Sequence, residues 1–134
     1  MREILFRGKR TDNGEWEYGD LWCNSYGKRV VCIVSPINDQ GTTGGNEVNP
    51  ETVCQFTGLY NKNGRKIFEG DIVKWTGSLY KVVFEQRFGI AYFGIKISDY
   101  ETWYFCNSCA ANLMEIAGNV YDNPELLKGG NDNG

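Results

Sequence analysis

Residues 58–72 read GLYNKNGRKIFEGDI, and this stretch favours tightly turned antiparallel strands. Asn63-Gly64 separates two short runs of strand-forming residues. Asn-Gly is typical of a type I′ hairpin turn, because both central residues of that turn need positive φ. The same pair recurs at Asn13-Gly14, and glycine turn signals follow at Tyr26-Gly27 and Gly77-Ser78. Short strands joined by tight turns are therefore predicted along most of the chain.

The segments between these turns have the periodicity of strands. Residues 15–18 alternate polar and aromatic side chains, whereas residues 28–34 and 71–75 are β-branched runs. Helical segments are expected only at residues 124–127 and in a short piece near residues 109–113. The 4 Trp, 8 Tyr and 7 Phe suit pleated surfaces, and the 17 Gly suit bends and bulges. We predict an all-β fold of two small, partly open antiparallel units, barrel-like and SH3-like, with minimal helix.

An internal repeat bears on the domain organisation. Residues 8–21 read GKRTDNGEWEYGDL and share with residues 58–72 a glycine, Asn-Gly, an aromatic residue and Gly-Asp before an aliphatic residue. The second copy has one extra residue before Gly-Asp, which a β-bulge would absorb. The repeat indicates either a duplicated unit or two independent hairpins with the same turn chemistry.

Two domain organisations follow from this repeat. The chain is either a single compact domain over residues 1–127 or two duplicated subunits, about residues 1–35 and 52–127, joined by the polar loop 36–50. In both cases residues 128–134, which are rich in glycine, asparagine and aspartate, are expected to form a disordered tail.

Composition narrows the function classes. Histidine is absent, which removes the commonest general base and the usual Ser-His and Cys-His nucleophile pairs. The formal net charge of −3 is too small to indicate a polyanionic partner by itself. No apolar run approaches the roughly 20 residues of a membrane helix, and residues 1–7 lack the apolar core of a secretory signal. We expect a cytoplasmic protein that does not contact a membrane and is not an enzyme.

The five cysteines are expected to be reduced thiols. Their number is odd and no signal peptide is evident, so a reducing compartment is the default. Cys32 and Cys54 lie in apolar segments, where cysteine acts as a small hydrophobe. Cys106-Asn107-Ser108-Cys109 is a C-x-x-C motif, for which half a zinc site, a redox pair and structural thiols are alternatives. Structural thiols are preferred because no second ligand pair lies at zinc-binding spacing, so no metal and no cofactor are predicted.

Two motifs that resemble sites are interpreted as turns or loops. Glu69-Gly70-Asp71 and Tyr18-Gly19-Asp20 place carboxylates beside glycines, but Gly-Asp before a strand is typical of a turn in which aspartate accepts from backbone amides. Residues 41–45 read GTTGG, yet they lack the Gly-Lys-Ser/Thr and the helix that a phosphate-binding loop needs. No catalytic residue is therefore predicted.

Cations and aromatic residues occur together near the two repeated turns. The candidate binding surface consists of Lys9, Arg10, Trp16, Tyr18, Trp22, Tyr60, Lys62, Arg65 and Lys66. Such a mixture suits single-stranded nucleic acid, because bases stack on aromatic rings and cations follow phosphates. However, Glu15, Glu17 and Asp20 lie among these residues and would repel phosphate. A solvated hairpin rim with the aromatic residues inside also explains this pattern. Among binding functions, protein recognition, including self-association, is preferred, and nucleic-acid binding is the alternative.

The order of these motifs resembles the YopX protein family of bacteria and their prophages. The resemblance rests on residues 56–73, on Phe6-Arg7-Gly8-Lys9 and Gly19-Asp20-Leu21 near the start, and on residues 116–127 near the end. It implies a small β-rich, phage-associated protein in the bacterial host cell, with no catalytic residues to carry over. We therefore expect a protein that acts by binding itself or a host or phage protein, or else a nucleic-acid-binding accessory protein of phage replication or regulation.

Overall fold

The computed structural model describes residues 3–26, 29–35, 37–38, 41–42, 45–87, 89–98, 101–104 and 111–131. Strands dominate these ranges, which confirms the predicted all-β class with minimal helix. The strands are β1 (Phe6–Lys9), β2 (Trp16–Tyr26), β3 (Arg29–Ser35), β4 (Ile37–Asn38), β5 (Gly41–Thr42), β6 (Asn46–Val48), β7 (Cys54–Tyr60), β8 (Lys66–Phe68), β9 (Asp71–Trp75), β10 (Ser78–Arg87), β11 (Ile90–Ser98), β12 (Glu101–Tyr104) and β13 (Glu115–Asn119). A 3-10 helix covers Pro50–Thr52, and the helix α1 covers Glu125–Asn131.

The chain divides into two compact units, residues 1–56 and 57–134. The first contains an antiparallel sheet in the order β6-β3-β2-β1-β7, and the later half of β7 lies in the second unit beside β8. The second unit also contains a sheet in the order β12-β11-β10-β9-β13. Both sheets are open in the described part of the chain, and the likeness to SH3 domains stays a prediction. The boundary between the units lies inside β7, not in the loop 36–50.

The first unit packs a small core on one side of its sheet. Cys32, Val34 and Val48 are buried there, with Leu21 and Val53 against them. Val48 belongs to β6, which lies inside the predicted polar loop 36–50; β4 and β5 of the same segment form a separate short pair. The segment is therefore partly structured. Val48 is apolar, so burying its side chain in the core stabilises β6, whereas the polar residues of the segment gain little from burial.

Strand β6 contacts the β1–β2 hairpin as well as β3. The amide of Thr11 donates to the carbonyl of Glu47 at 3.1 Å, and the amide of Asn49 donates to the carbonyl of Lys9 at 2.8 Å. An isolated bridge joins Arg10 and Val48 between these bonds. The sheet therefore curls so that its β6 edge approaches β1. Gly8 permits this approach, because a Cβ on Gly8 would lie 2.9 Å from Cγ2 of Val48.

The second unit has the larger core. Its buried members are Ile67, Val73, Val82, Ile95, Ala111 and Met114. Thr76 and Gly77, with φ of 53° and 86°, form the two-residue turn between β9 and β10. Positive φ at both positions is the type I′ geometry that matches the twist of a hairpin. The tight turn predicted near Gly77-Ser78 is confirmed, centred one residue earlier.

Strand β13 completes the sheet of the second unit by pairing with β9. The pairing shifts register between Ile116 and Gly118, which is a bulge in β13. Gly70 connects the strands on both sides: its amide donates to the carbonyl of Val82, and its carbonyl accepts from Val120. Beyond β13, the side-chain oxygen of Asn119 accepts from the amides of the next turn. The motif at residues 116–127 therefore encodes a strand end and a turn.

The two copies of the sequence repeat agree only in their hairpins. Gly19-Asp20 lies inside β2, where Asp20 is exposed, and the strand continues to Tyr26. Gly70-Asp71 instead ends a turn between β8 and β9, with φ of 88° at Gly70. Asp71 is buried there, and its Oδ2 accepts from the amide of Phe68 at 2.8 Å. The extra residue of the second copy therefore belongs to a turn, not to the predicted bulge.

The structure corrects two further predictions. Cys23 and Cys32 form a disulfide, so these two are not reduced thiols. Cys54 is a buried thiol that donates to the carbonyl of Thr52 at 3.2 Å, and Cys106 and Cys109 lie outside the described residues. The pair meets because β2 and β3 place the two residues directly opposite each other. In addition, residues 128–131 continue α1 instead of belonging to a disordered tail. Lys128 suits the last turn because cations are favourable at a helix C-terminus.

Substituting Gly8 by alanine should destabilise the protein by about 1–3 kcal/mol, because the new Cβ overlaps the side chain of Val48. Urea unfolding of Gly8→Ala, Val48→Ala and the double variant measures this effect. Val48→Ala removes the Cγ atoms at 2.9 and 3.3 Å and leaves only the Cβ at 3.0 Å, so the double variant should lose less stability than the two single losses combined. Additive losses would contradict this account of the contact.

Candidate binding surface

The nine predicted surface residues are divided between the two units. Lys9, Arg10, Trp16, Tyr18 and Trp22 belong to the first unit, whereas Tyr60, Lys62, Arg65 and Lys66 belong to the second. Each set is therefore a surface of its own unit. The first set is built on β1 and β2, and the second on the turn between β7 and β8.

Alternation along β2 creates an aromatic face. Residues two apart point to the same side of a strand, so Trp16, Tyr18, Asp20 and Trp22 share one side of β2. The opposite side carries Leu21, which packs on the core of the first unit. Tyr18 and Trp22 are 45% and 53% exposed. We call these four residues the β2 aromatic face.

Two cations of β1 lie on this face beside Trp16. Arg7 is opposite Tyr18, and Lys9 is opposite Trp16, in the antiparallel register of β1 and β2. The guanidinium carbon of Arg7 lies 4.6 Å from the centroid of the Trp16 ring, and Nζ of Lys9 lies 5.5 Å from it. Such cation–π contacts are worth about 0.5–2 kcal/mol. Arg7 is only 6% exposed and was not among the predicted residues; its position opposite Tyr18 is the signal that would have identified it.

Arg10 takes part in ion pairs instead of facing outward with Lys9. Its Nε donates to Oδ1 of Asp12 at 3.0 Å and its Nη2 donates to Oδ2 at 2.7 Å, which is a bidentate pair. Its Nη1 also lies 3.5 Å from Oε2 of Glu17. The hydrogen bond from Arg10 lowers the pKa of Asp12 below its ordinary value of 3.8. Arg10 is thus balanced by two carboxylates, which leaves it poorly suited to phosphate.

The second set is positioned by Asn61 in the turn between β7 and β8. Oδ1 of Asn61 accepts from the amides of Asn63 and Arg65, each at 2.9 Å. The amide of Asn61 donates to the carbonyl of Arg65 at 2.8 Å, and that of Gly64 donates to the carbonyl of Asn61 at 3.1 Å. Asn61 is 4% exposed. A buried amide side chain therefore holds the turn that carries Lys62 and Arg65.

The cations of the second set have different surroundings. Lys62 Nζ lies 2.6 Å from Oε1 of Glu115 on β13, and Lys66 Nζ lies 5.5 Å from the centroid of the Tyr60 ring. The hydrogen bond from Lys62 lowers the pKa of Glu115 below its ordinary value of 4.5. Arg65 is exposed. As in the first unit, a cation that the sequence suggested for phosphate binding is paired with a carboxylate.

Metal-ligand clusters and membrane-spanning helices are both absent from the described residues. No group of three or more histidine, cysteine, aspartate or glutamate side chains is arranged for a metal ion among the described residues. The C-x-x-C motif at Cys106 and Cys109 lies outside them. No helix in the part of the chain that the structure describes is long and apolar enough to cross a membrane.

Comparisons with known proteins agree with the motif order. The model of the family described as YopX protein matches residues 5–128. The fold is similar to the crystal structure of protein EF1440 from Enterococcus faecalis, with a TM-score of 0.56 and 21% sequence identity over 95% of this chain and 99% of that chain. At this identity the likeness concerns the fold alone. No curated protein matches the chain.

Replacing Asn61 by alanine should cost about 1–3 kcal/mol of unfolding free energy, because two backbone amides lose their buried acceptor. Chemical denaturation measures the loss. Asn63→Ala is the matched control, since Asn63 is exposed in the same turn; its effect should stay within about 0.5 kcal/mol. Equal losses in both variants would contradict the role of Asn61.

Replacing Lys62 by methionine should raise the pKa of Glu115 towards 4.5, because the hydrogen bond that favours the carboxylate is removed. A lowered folded-state pKa contributes stability that is present above the unfolded pKa and is lost as the pH falls through the folded pKa. NMR titration of the side-chain carboxyl carbon below pH 5 measures the shift. Lys66→Met is the control and should leave the titration of Glu115 unchanged.

Proposed function

Because the chain belongs to the YopX protein family, we propose that it is a small phage- or prophage-associated protein of the bacterial cytoplasm that acts by binding and not by catalysis. The partner that we propose is a second copy of the same chain. The β2 aromatic face is the surface that supports this proposal. The observation that carries it is the exposure of Tyr18 and Trp22 on a single face of a paired strand.

Tyrosine and tryptophan are enriched in protein interfaces because they bury a large apolar area and lose little side-chain entropy. In the centre of an interface, such residues contribute much of the binding free energy. Their strand pairs with β1 at Tyr18 and with β3 at Trp22, which fixes the backbone that carries them before binding. Preorganisation of this kind lowers the entropic cost of association.

Charge along the β2 aromatic face favours a second copy as the occupant. Lys9 is opposite Trp16 at one end, whereas Asp20 lies four positions further along the strand. Suppose that two copies pack their β2 strands antiparallel, about a two-fold axis beside Tyr18. Residue 16 of each copy then lies opposite residue 20 of the other. Asp20 of each copy then approaches Lys9 of the other, and the face is complementary to itself, as a two-fold interface requires.

Nucleic acid is the less favoured partner. Phosphate binding needs cations that are available to the backbone of the nucleic acid. Arg10 and Lys62 are instead paired with Asp12, Glu17 and Glu115. Asp20, which would support the contact between two copies, would repel phosphate at the centre of the same face.

Sedimentation velocity over a range of protein concentrations tests self-association. The wild-type chain should form a dimer, and Trp22→Ala should weaken it by about 2 kcal/mol or more, which is roughly a 30-fold increase in the dissociation constant. Leu113→Ala is the control, since Leu113 is an exposed apolar residue of the second unit. It should leave the dimer unchanged.

Charge exchange tests the geometry of the dimer. Asp20→Lys and Lys9→Glu should each weaken it, and the double variant should recover most of the loss because the pair is restored with reversed signs. A monomer at high concentration would contradict the proposal. Binding of a labelled oligodeoxythymidine, with an affinity that falls steeply as salt is added, would favour the nucleic-acid alternative instead.

A further inference from the structure

The distal half of β2 forms a ribbon with β3 that extends past the other strands. Strand β1 pairs with β2 only as far as Gly19, whereas β2 and β3 remain paired from Asp20–Ser35 to Tyr26–Arg29. Strand β6 meets β3 only opposite residues 32–34. The last three register pairs, from Asn24–Val31 onward, therefore have no third strand among the described residues. A two-stranded ribbon of this kind is marginally stable by itself.

The disulfide Cys23–Cys32 lies at the base of this projecting part. The two residues are directly opposite each other, with their Cα atoms 4.2 Å apart. Cys32 is 4% exposed and packs in the cluster of Val34 and Val48, whereas Cys23 is exposed. The bond therefore joins the core of the first unit to the strand that carries Trp22, the neighbour of Cys23.

We propose that the Cys23–Cys32 disulfide is a thiol–disulfide switch that keeps the projecting ribbon ordered when oxidised and releases it when reduced. The position of the bond supports this, because Cys23 is an exposed residue and Cys32 is anchored in the core. Disulfides of reducing compartments are rare and usually serve transient or redox-sensing roles. The reductant that fits is a dithiol, either a small molecule or a protein with a pair of cysteines.

The exchange begins at the exposed sulfur. A thiolate of the reductant attacks Sγ of Cys23, the Cys23–Cys32 bond breaks, and Cys32 leaves as a thiolate that takes up a proton. The second thiolate of the reductant then attacks its own sulfur in the mixed disulfide, which releases Cys23 as a thiolate that is also protonated. The protein disulfide gains two electrons and two protons, and the dithiol becomes a disulfide.

Reduction changes the ribbon because the covalent link between its strands is lost. The thiol of Cys32 stays in the core, whereas Cys23 is free to turn with its strand. Since Trp22 precedes Cys23, the order of Trp22, at the end of the β2 aromatic face, depends on the bond. The effect on self-association rests on the proposed function, but the effect on the ribbon does not.

Hydrogen exchange measured by mass spectrometry on oxidised protein, with and without dithiothreitol, tests the switch. Reduction should raise the exchange rates of amides in the projecting part of the ribbon, residues 24–26 and 29–31, at least tenfold and leave those of β9 and β10 unchanged. The melting temperature should fall by about 5–10 °C, as expected for loss of a disulfide that closes a short loop. If dithiothreitol changes neither the amide exchange rates of the ribbon nor the melting temperature, the proposed switch is wrong.

The variant Cys23→Ser/Cys32→Ser is the control for the other cysteines. It should exchange like the reduced protein and should not respond to dithiothreitol. If it misfolds, Cys23→Ser alone leaves the core residue in place and should behave in the same way. Sedimentation of oxidised and reduced protein then separates the two proposals. A dimer that dissociates on reduction supports the dimer and the switch. If the oxidised and the reduced protein are both monomers, only the dimer is contradicted, because the switch is tested separately by hydrogen exchange in the ribbon.

Discussion

The two-residue alternation of β2 is the constraint on which the first unit depends. A shift of one position would turn Leu21 towards solvent and Trp16, Tyr18 and Trp22 towards the core. The hairpin with β1 and the pairing with β3 hold the register from both sides. The same register places Lys9 and Arg7 beside Trp16 and Cys23 opposite Cys32. The aromatic face, the cation contacts and the disulfide are therefore consequences of one strand alignment.

Local signals in the sequence predicted the elements well. Asn13-Gly14, Asn63-Gly64 and Thr76–Gly77 each lie in a turn between two strands, as predicted. Only the glycines of the two Asn-Gly pairs have positive φ, so the type I′ geometry expected there occurs instead at Thr76–Gly77. The two Gly-Asp pairs could not be distinguished from their local sequence. Gly70-Asp71 is the predicted turn, but Gly19-Asp20 lies inside β2. The difference is tertiary: β3 continues to pair with β2 beyond Asp20, whereas Asp71 is buried at the start of β9.

The candidate site was harder to predict than the fold. The aromatic residues of β2 were identified from alternation, but the ion pairs were not. Glu115 meets Lys62 only because β13 pairs with β9, which no local pattern in the sequence indicates. The disulfide follows from the pairing of β2 with β3, which places Cys23 opposite Cys32. An odd number of cysteines and an expected reducing compartment do not determine which residues face each other across two strands.

The pairing of β9 with β13 has a consequence for the order of folding. Strand β9 is synthesised before β13, and its neighbour β10 follows directly, so this hairpin forms from local contacts. The other edge of β9 receives β13 only after residues 115–119 have left the ribosome, and Gly70 then accepts the bond from Val120. Until that moment Ile72 and Val73 lie in an unpaired edge strand, which is a template for intermolecular association. Completion of the second unit is thus a late step that protects the nascent chain.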